Sequence, residues 1–539
     1  AGDAALADPN VAPAQAGEDA EPGSVISTTI ESSNFQLGDF SVSSVVVSEL
    51  FEHFEHYYLA HAPFLQPVIS PHRLVLDSPL LFWTIILITC QYHNIYNGLY
   101  NQLVVAHRDL LSPFLTRGIR SIQEIHAFLL LSLWSLPAYL PFLDPTWTYV
   151  SIAIDTCTRM NFHKPLPQDH VARGWACWLD SGDITVQNQY LTWLACFSIS
   201  TQASLYQGIL PPLSSSHHLR NVKKAIQQLG SVLKPEHRAS LAIHECICNY
   251  SLLLEDIEDS AAHLPLIQTF ESTLDNIEQT YSTQSTPELS IQLEYAKMNL
   301  YAMAVLDSPQ ADIQIDIQSD INKQAVLIRG LELASRIIYR VKELSLLPVD
   351  DGLSNAGKLI YYPRQYITSM FYAAIYLFRM LVDCRPLSRT HVTLALGSIT
   401  ETRDIFKLLP PHRTTGIVAD FLDRVVEKAQ AIDVSAGALT VPQLLITNRL
   451  GASLIYDILF RISSFAKRYS NIDIGTRNQG EEVVNSSRIV APEIESEAQS
   501  TQQTLFDTSL IQQSGEAFWF SWDAFFNDVD ISFDQELPL

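Results

Sequence analysis

Apolar positions recur at helical spacing along most of this chain. Val47, Leu50, Phe51, Phe54 and Tyr58 lie three or four residues apart with Glu49, Glu52 and Glu55 between them, which predicts an amphipathic helix opening the folded part from about Val42. Leu80 to Cys90 is apolar on every side, yet its length falls well short of the ~20 residues that cross a bilayer, so it predicts a buried core helix. Ile122 to Leu143 is long enough to imitate a span, but Gln123, Glu124, His126 and two prolines interrupt it and no basic flank orients it, which argues against a membrane span. Leu219, Val222, Ile226 and Leu229 mark a further helix. Thr286-Pro287-Glu288 reads as a capped helix start, a hydroxyl before proline at the first helical position. Helices are also expected at about 321–346, 363–383, 392–408, 417–430 and 441–469. Alternating strand patterns are scarce; Ile313 to Ile317 is short, bounded by acids, and reads as loop. The expected class is all-α, a large irregular helical array with no fixed repeat.

Two stretches break the pattern. Residues 1–40 are rich in Ala, Gly, Pro, Ser and acids, the first basic residue of the chain being Arg73, and residues 471–504 are again polar; both have the composition of disordered linkers. Between them lies the helical regulatory part, 41–470. Beyond them, 505–539 is different: Glu516 to Glu536 holds seven aromatic rings, several carboxylates and no Lys or Arg. On a helix, Phe518, Trp519, Trp522, Phe525, Phe526, Val529 and Phe533 fall within roughly 120° of arc, flanked by Asp523, Asp528, Asp530 and Asp534. Carboxylates beside the rings keep such a tail solvated and let the rings enter a partner's groove, the composition of an acidic activation domain that engages coactivator or mediator proteins. A terminal helix docked on its own core would share the same rings, and the two states can alternate.

The formal charge of -24, from 58 acids against 34 bases, repels nucleic acid and anionic membranes, so no DNA-binding or membrane-binding surface is expected here. Seven scattered cysteines predict reduced thiols rather than a disulfide framework, and the Cys246-x-Cys248 spacing does not suit zinc. His53, His56 and His61 read as helix-surface histidines, and no metal ligand is assigned. Glycine-rich phosphate loops, nucleophile elbows and His-Glu-x-x-His are absent, so no catalytic residue is assigned and the chain is not expected to be an enzyme. Cations in apolar surroundings are the remaining chemistry. Arg379, Arg159 and His126 must each be paired, by a carboxylate such as Asp383 or Asp155, or be kept for an anionic ligand.

Leu50 to Pro63 and Ser78 to Leu87, then Ser121 to Trp134, Trp147, Tyr149, Ile152, Ala153 and Met160 to Lys164, followed by Trp193, Ser204, Gly208 and Pro211, occur in an order that resembles the regulatory region of fungal zinc-binuclear-cluster transcription factors. Tyr361-Tyr362-Pro363, Ala373-Ala374 and Arg379 resemble a later helix of that region. Ser151 and Asn161 stand where the family has glycines, and Ser200-Thr201 replace its acid-arginine pair, leaving that salt bridge without its partners. The motif wording and the tail are most similar to the leucine-biosynthesis activator group. The resemblance implies a nuclear, ligand-responsive regulator, possible homodimers, and zinc only in a DNA-binding domain upstream of this chain, with no cofactor in the chain itself. It also implies a small-molecule effector, isopropylmalate for that group, held by Arg, Lys, His and Tyr donors; Arg379, Arg159, His126, His163, Tyr149 and Arg364 are the candidates. The rival readings are an assembly protein on the same fold, of the centromere-binding kind, and an all-α enzyme without a known motif.

Overall fold

The computed structural model describes residues 28–31, 34–67, 70–136, 144–165, 185–255, 257, 260–306, 317–349, 357–383, 387–410, 413–431 and 444–458. The aromatic tail, the linker before it, Cys177 and Cys384 lie outside the described residues, as does the loop expected at 313–317 apart from Ile317.

The chain opens with a small antiparallel meander, β1 (Thr28–Glu31), β2 (Asn34–Leu37) and β3 (Phe40–Ser43), turning at Gly38 in the left-handed region. The period-two pattern buries Phe35, Leu37, Phe40 and Val42 on one face, and Phe35 packs its ring 5.0 Å from that of Phe82. These strands lie partly inside the stretch that composition assigns to a linker. Four alternating residues per strand are too few to stand out in the sequence, and only the helices beneath give them a face to bury.

The amphipathic helix is α1 (Ser44–Tyr57), capped by the Ser43 hydroxyl and burying Val47, Leu50, Phe51 and Phe54. It packs on α3 (Pro79–Tyr92), reached through the short α2 (Pro71–Asp77); every residue from Leu80 to Gln91 is buried. After α4 (Tyr100–Arg117), α5 (Ile122–Leu133) lies against α3, and α6 (Thr146–Arg159) lies against α5. No described helix is long and apolar enough to cross a membrane. The α6 chain reverses at Asn161, whose φ of 58° explains how asparagine serves where the resembled family has glycine: its short polar side chain tolerates this backbone.

The second half is a run of helices packed on their sequence neighbours, save that α8 and α9 both pack on α7: α7 (Val186–Gln207), α8 (Ser216–Leu229), α9 (Pro235–Glu255), α10 (Ser260–Thr280), α11 (Pro287–Leu306), α12 (Ile317–Ser345), α13 (Gln365–Asp383), α14 (Arg389–Leu408) and α15 (Arg413–Ala431). The fold is all-α apart from the meander. Thr286 caps α11 as its sequence predicts, its hydroxyl accepting from Leu289 N at 3.2 Å. Lys297 joins α11 to α10 through Asp275 at 2.7 Å and Glu278 at 2.8 Å, and Glu294 takes Arg336 at 3.2 Å and Arg340 at 3.1 Å from α12. Where the acid-arginine pair is missing, Thr201 donates to Phe197 O at 2.8 Å and meets the Cys248 thiol at 3.7 Å, so hydroxyl and thiol join α7 to α9 there.

The helix expected at about 441–469 begins later. Residues 444–449 are irregular, Leu450–Ala452 form a 3-10 turn, and helix starts at Ser453. The Asp457 carboxylate accepts from Leu445 N at 2.6 Å, and the Ser453 hydroxyl from Arg449 N at 3.0 Å, so side chains of the helix hold the segment before it in a non-helical path.

Candidate functional site

Five segments converge on one cleft: the end of α5, the second half of α7, α9, the start of α11 and the Pro363–Ser369 entry to α13. An inner chamber of about 80 Å³ and an outer one of about 360 Å³ share Leu133, Ile199, Gln202, Gln292, Gln365 and Tyr366 as walls. The inner chamber is mostly aliphatic with a few convergent polar groups, the usual make-up of a small-molecule site.

Those polar groups are held by cross-helix pairs. Arg364 sets its guanidinium on Asp144 and donates to Ser135 Oγ at 2.6 Å, while its backbone N–H donates to Leu133 O at 3.0 Å. Asp144 is itself fixed, its other oxygen accepting from Thr146 N at 2.9 Å and from the Thr146 hydroxyl at 2.6 Å at the head of α6. Its side chain is 4% exposed, whereas that of Arg364 is 29% exposed, and both residues line the chamber. The Gln202 amide nitrogen lies 3.2 Å from His244 Nε2, and Ser198 Oγ lies 3.2 Å from His244 Nδ1. An amide nitrogen only donates, so Nε2 accepts and the proton sits on Nδ1. Burial pushes His244 down to about 3, which keeps the ring neutral. Ser240 donates to Gln292 at 2.6 Å, and Gln292 reaches the Tyr366 hydroxyl at 3.4 Å. In the outer chamber burial lowers His61 to about 4 against the opposing pull of Glu288, whose carboxylate accepts from Tyr362 at 2.9 Å.

Of the six effector candidates read from the sequence, only Arg364 lines this cleft. Arg159 is on the surface, paired with Asp155 at 2.8 Å one helical turn away. His126 is a buried pin between α5 and α7: Thr192 gives its hydroxyl hydrogen to Asn188 O at 2.8 Å and so accepts from His126 Nε2 at 2.9 Å. Burial holds that ring down to about 3, neutral and unsuited to an anion. His163 stacks near Trp193 with its centroid 5.5 Å away and is likewise lowered by burial. Tyr149 packs edge-on to Phe128, and burial raises its hydroxyl. Arg379 sits half-buried on α13, ten residues beyond Ser369 and therefore roughly 15 Å along the helix; the side chain of Asp383, its expected partner, lies outside the described residues. A cation in an apolar sequence window marks a pairing problem, and here the fold solves it in different places. Gln202, His244, Gln292, Tyr206 and Tyr366 escaped the sequence reading. Their one signal is a polar residue on a helix face that is otherwise apolar.

Among the described residues no three His, Cys, Asp or Glu side chains are grouped to hold a metal ion. His53 instead packs against His93, its ring 4.8 Å away, and Tyr361, 5.0 Å away, and His61 lies 4.4 Å from Tyr362.

The cleft also touches the last described segment. Tyr206 lines the inner chamber, and its neighbour Gln207 accepts from the Tyr456 hydroxyl at 2.8 Å and, through its carbonyl, from Arg449 at 3.4 Å. Gly208 ends α7 with φ 62°, and its missing Cβ leaves room for the Arg449 carbonyl; Tyr372 donates to Gly451 O from α13. Residues 444–458 are thus clasped against the cleft's own walls.

A small cleft with mostly apolar walls and a few convergent polar groups, set in an all-α array, is a binding site in form, and the chain's similarities are to regulators of transcription. It is 24% identical over 453 residues to a protein of Eremothecium gossypii described as transcription factor SEF1, and 22% identical over 463 residues to the transcriptional regulatory protein SEF1 of Candida albicans. The matches take in 80% and 83% of this chain but 40% and 47% of those relatives, so the chain spans less than half the length of the curated relatives it matches. No protein-family model and no solved structure matches it. Both relatives are named as regulators of transcription.

Proposed function

We propose that this chain is the regulatory part of a nuclear, ligand-responsive transcription regulator of the zinc-cluster type, with DNA contacted through a domain upstream. The cleft takes a small carboxylate metabolite, Arg364 being the cation that meets it, and isopropylmalate is the ligand that the sequence resemblance nominates. The acidic aromatic tail at 505–539 engages coactivators. The carrying observation is the shared wall: Tyr206 faces the cleft while Gln207 grips Tyr456, so a ligand that repositions α7 changes the hold on the segment leading to the tail. Such control requires the ligand to bind the clasped and released states with different affinity.

The test fuses the chain to an unrelated DNA-binding domain and measures reporter output with and without residues 505–539, in cells given or denied candidate metabolites. Output that depends on the tail and shifts with a metabolite is expected, and Gln207→Ala should raise the ligand-free output. Tail-independent output would overturn the activation reading; tail-dependent output that no metabolite alters would overturn the sensing reading.

A further inference from the structure

The charge and hydrogen-bond inventory of the cleft constrains its ligand, given the reading of that cleft as an effector site. Three carboxylates, Asp144, Glu236 and Glu288, line the two chambers against two cations, Arg364 and Lys234. The Arg364 charge is already matched by Asp144, and Lys234 is exposed at the mouth. The lining histidines add no positive charge, because burial lowers His61 and His237 as well as His244. A dianion would therefore enter a site with no uncompensated cation inside, and its desolvation would go unrepaid.

The unpartnered atoms point the same way. Glu236 Oε2 and Gln365 Oε1 are buried and have no hydrogen-bond donor, Glu236 in the outer chamber and Gln365 where the chambers meet. Both accept and neither donates, so an occupant that reaches them satisfies them only with donors of its own.

We infer that the effector is a zwitterion of zero net charge: a carboxylate directed to Arg364, an ammonium group directed to the acceptors Gln365 Oε1 and Glu236 Oε2, and an aliphatic body against Ile199, Ile247 and Ile291. This narrows the carboxylate class and excludes dianions. The carboxylate half rests on the reading of Arg364 as the effector's cation, and the ammonium half on the excess of lining carboxylates and the two unmatched acceptors.

Isothermal calorimetry on the full chain tests this with matched probes: 6-aminohexanoate and leucine as zwitterions, hexanoate and 4-methylpentanoate as anions, hexylamine as the cation, adipate and isopropylmalate as dianions. At least one zwitterion should bind tenfold or more tightly than every singly charged or dianionic analogue, and Gln365→Leu should weaken it about tenfold with the thermal midpoint unchanged. Should Gln365→Leu shift the midpoint, Gln365→Glu, which keeps the acceptor, must retain zwitterion binding. A dianion, a simple anion or hexylamine binding as tightly as the zwitterions overturns the inference and leaves the ligand-responsive reading standing. Absence of binding by every probe at millimolar concentration overturns both.

Discussion

The slab around α3 and the cleft between α7, α9, α11 and α13 are made of the same material, packed helices, and solve opposite problems. In the slab, Phe82 meets Phe35, Phe51 and Trp83 within 5.0 to 5.5 Å and every residue from Leu80 to Gln91 is buried, so apolar packing closes most of the space, with the Thr84–His107 pair buried in it. In the cleft, the side chains that would fill the space are tied to partners: Gln202 to His244, Gln292 to Tyr366, Arg364 to Asp144. Polar pairing across helices fixes side chains short of the centre and keeps a void open that hydrophobic packing would have closed. The slab supplies stability, and the cleft gives up some of it for a shaped, polar interior.

Four measurements would break or sharpen that contrast. Phe82→Ala should cost the most, about 3–5 kcal/mol in urea unfolding, because it hollows a fully buried site; ligand heats measured on the folded fraction should not change. If they do, slab and cleft are not separate. Gly208→Ala forces a side chain onto positive φ and against the Arg449 carbonyl, costing about 2 kcal/mol. Its effect should appear as faster hydrogen exchange in 444–458 with the slab's exchange unaltered, and uniform loss of protection would refute a local clasp.

Acidification acts on both regions through their buried histidines. Burial lowers His107 to about 4 and His126 and His244 to about 3, from an ordinary value of 6.5. The unfolded chain therefore takes up the protons first, so stability is whole above pH 6.5 and falls as pH drops from 6.5 towards 4. The slope is roughly 1.4 kcal/mol per pH unit for each buried ring. His244→Gln should remove one ring's share of that slope in pH-stepped urea titrations; an unchanged slope would mean that His244 is not held neutral. The smallest effect is expected for Tyr456→Phe. Losing the bond to Gln207 should cost about 0.5–1.5 kcal/mol of clasp stability by hydrogen exchange, with the slab unaffected.

The slab was legible in the sequence because its signal is local. The 3.6-residue period of α1, the unbroken apolar run of α3 and the Thr286 cap each lie within a few neighbouring residues. The meander escaped because its short strands gain a buried face only from the helices beneath. The candidate site was legible at Arg364 and little else. Arg159, His126, His163, Tyr149 and Arg379 share its residue types and apolar flanks, and nothing in their windows tells a cation that finds Asp155 one turn away from one that lines a chamber. Partners such as Asp144, 220 residues from Arg364, are set by packing.

By itself the sequence determined an acidic, all-α chain, its helix starts and the acidic aromatic composition of 505–539, since periodicity, capping and charge are properties of neighbouring residues. The tertiary structure alone decided where the void lies, which cation faces it, which acceptors go unmatched and that α7 touches both the void and the 444–458 clasp. Those are juxtapositions of residues tens to hundreds of positions apart, and a position's own neighbours carry no record of them.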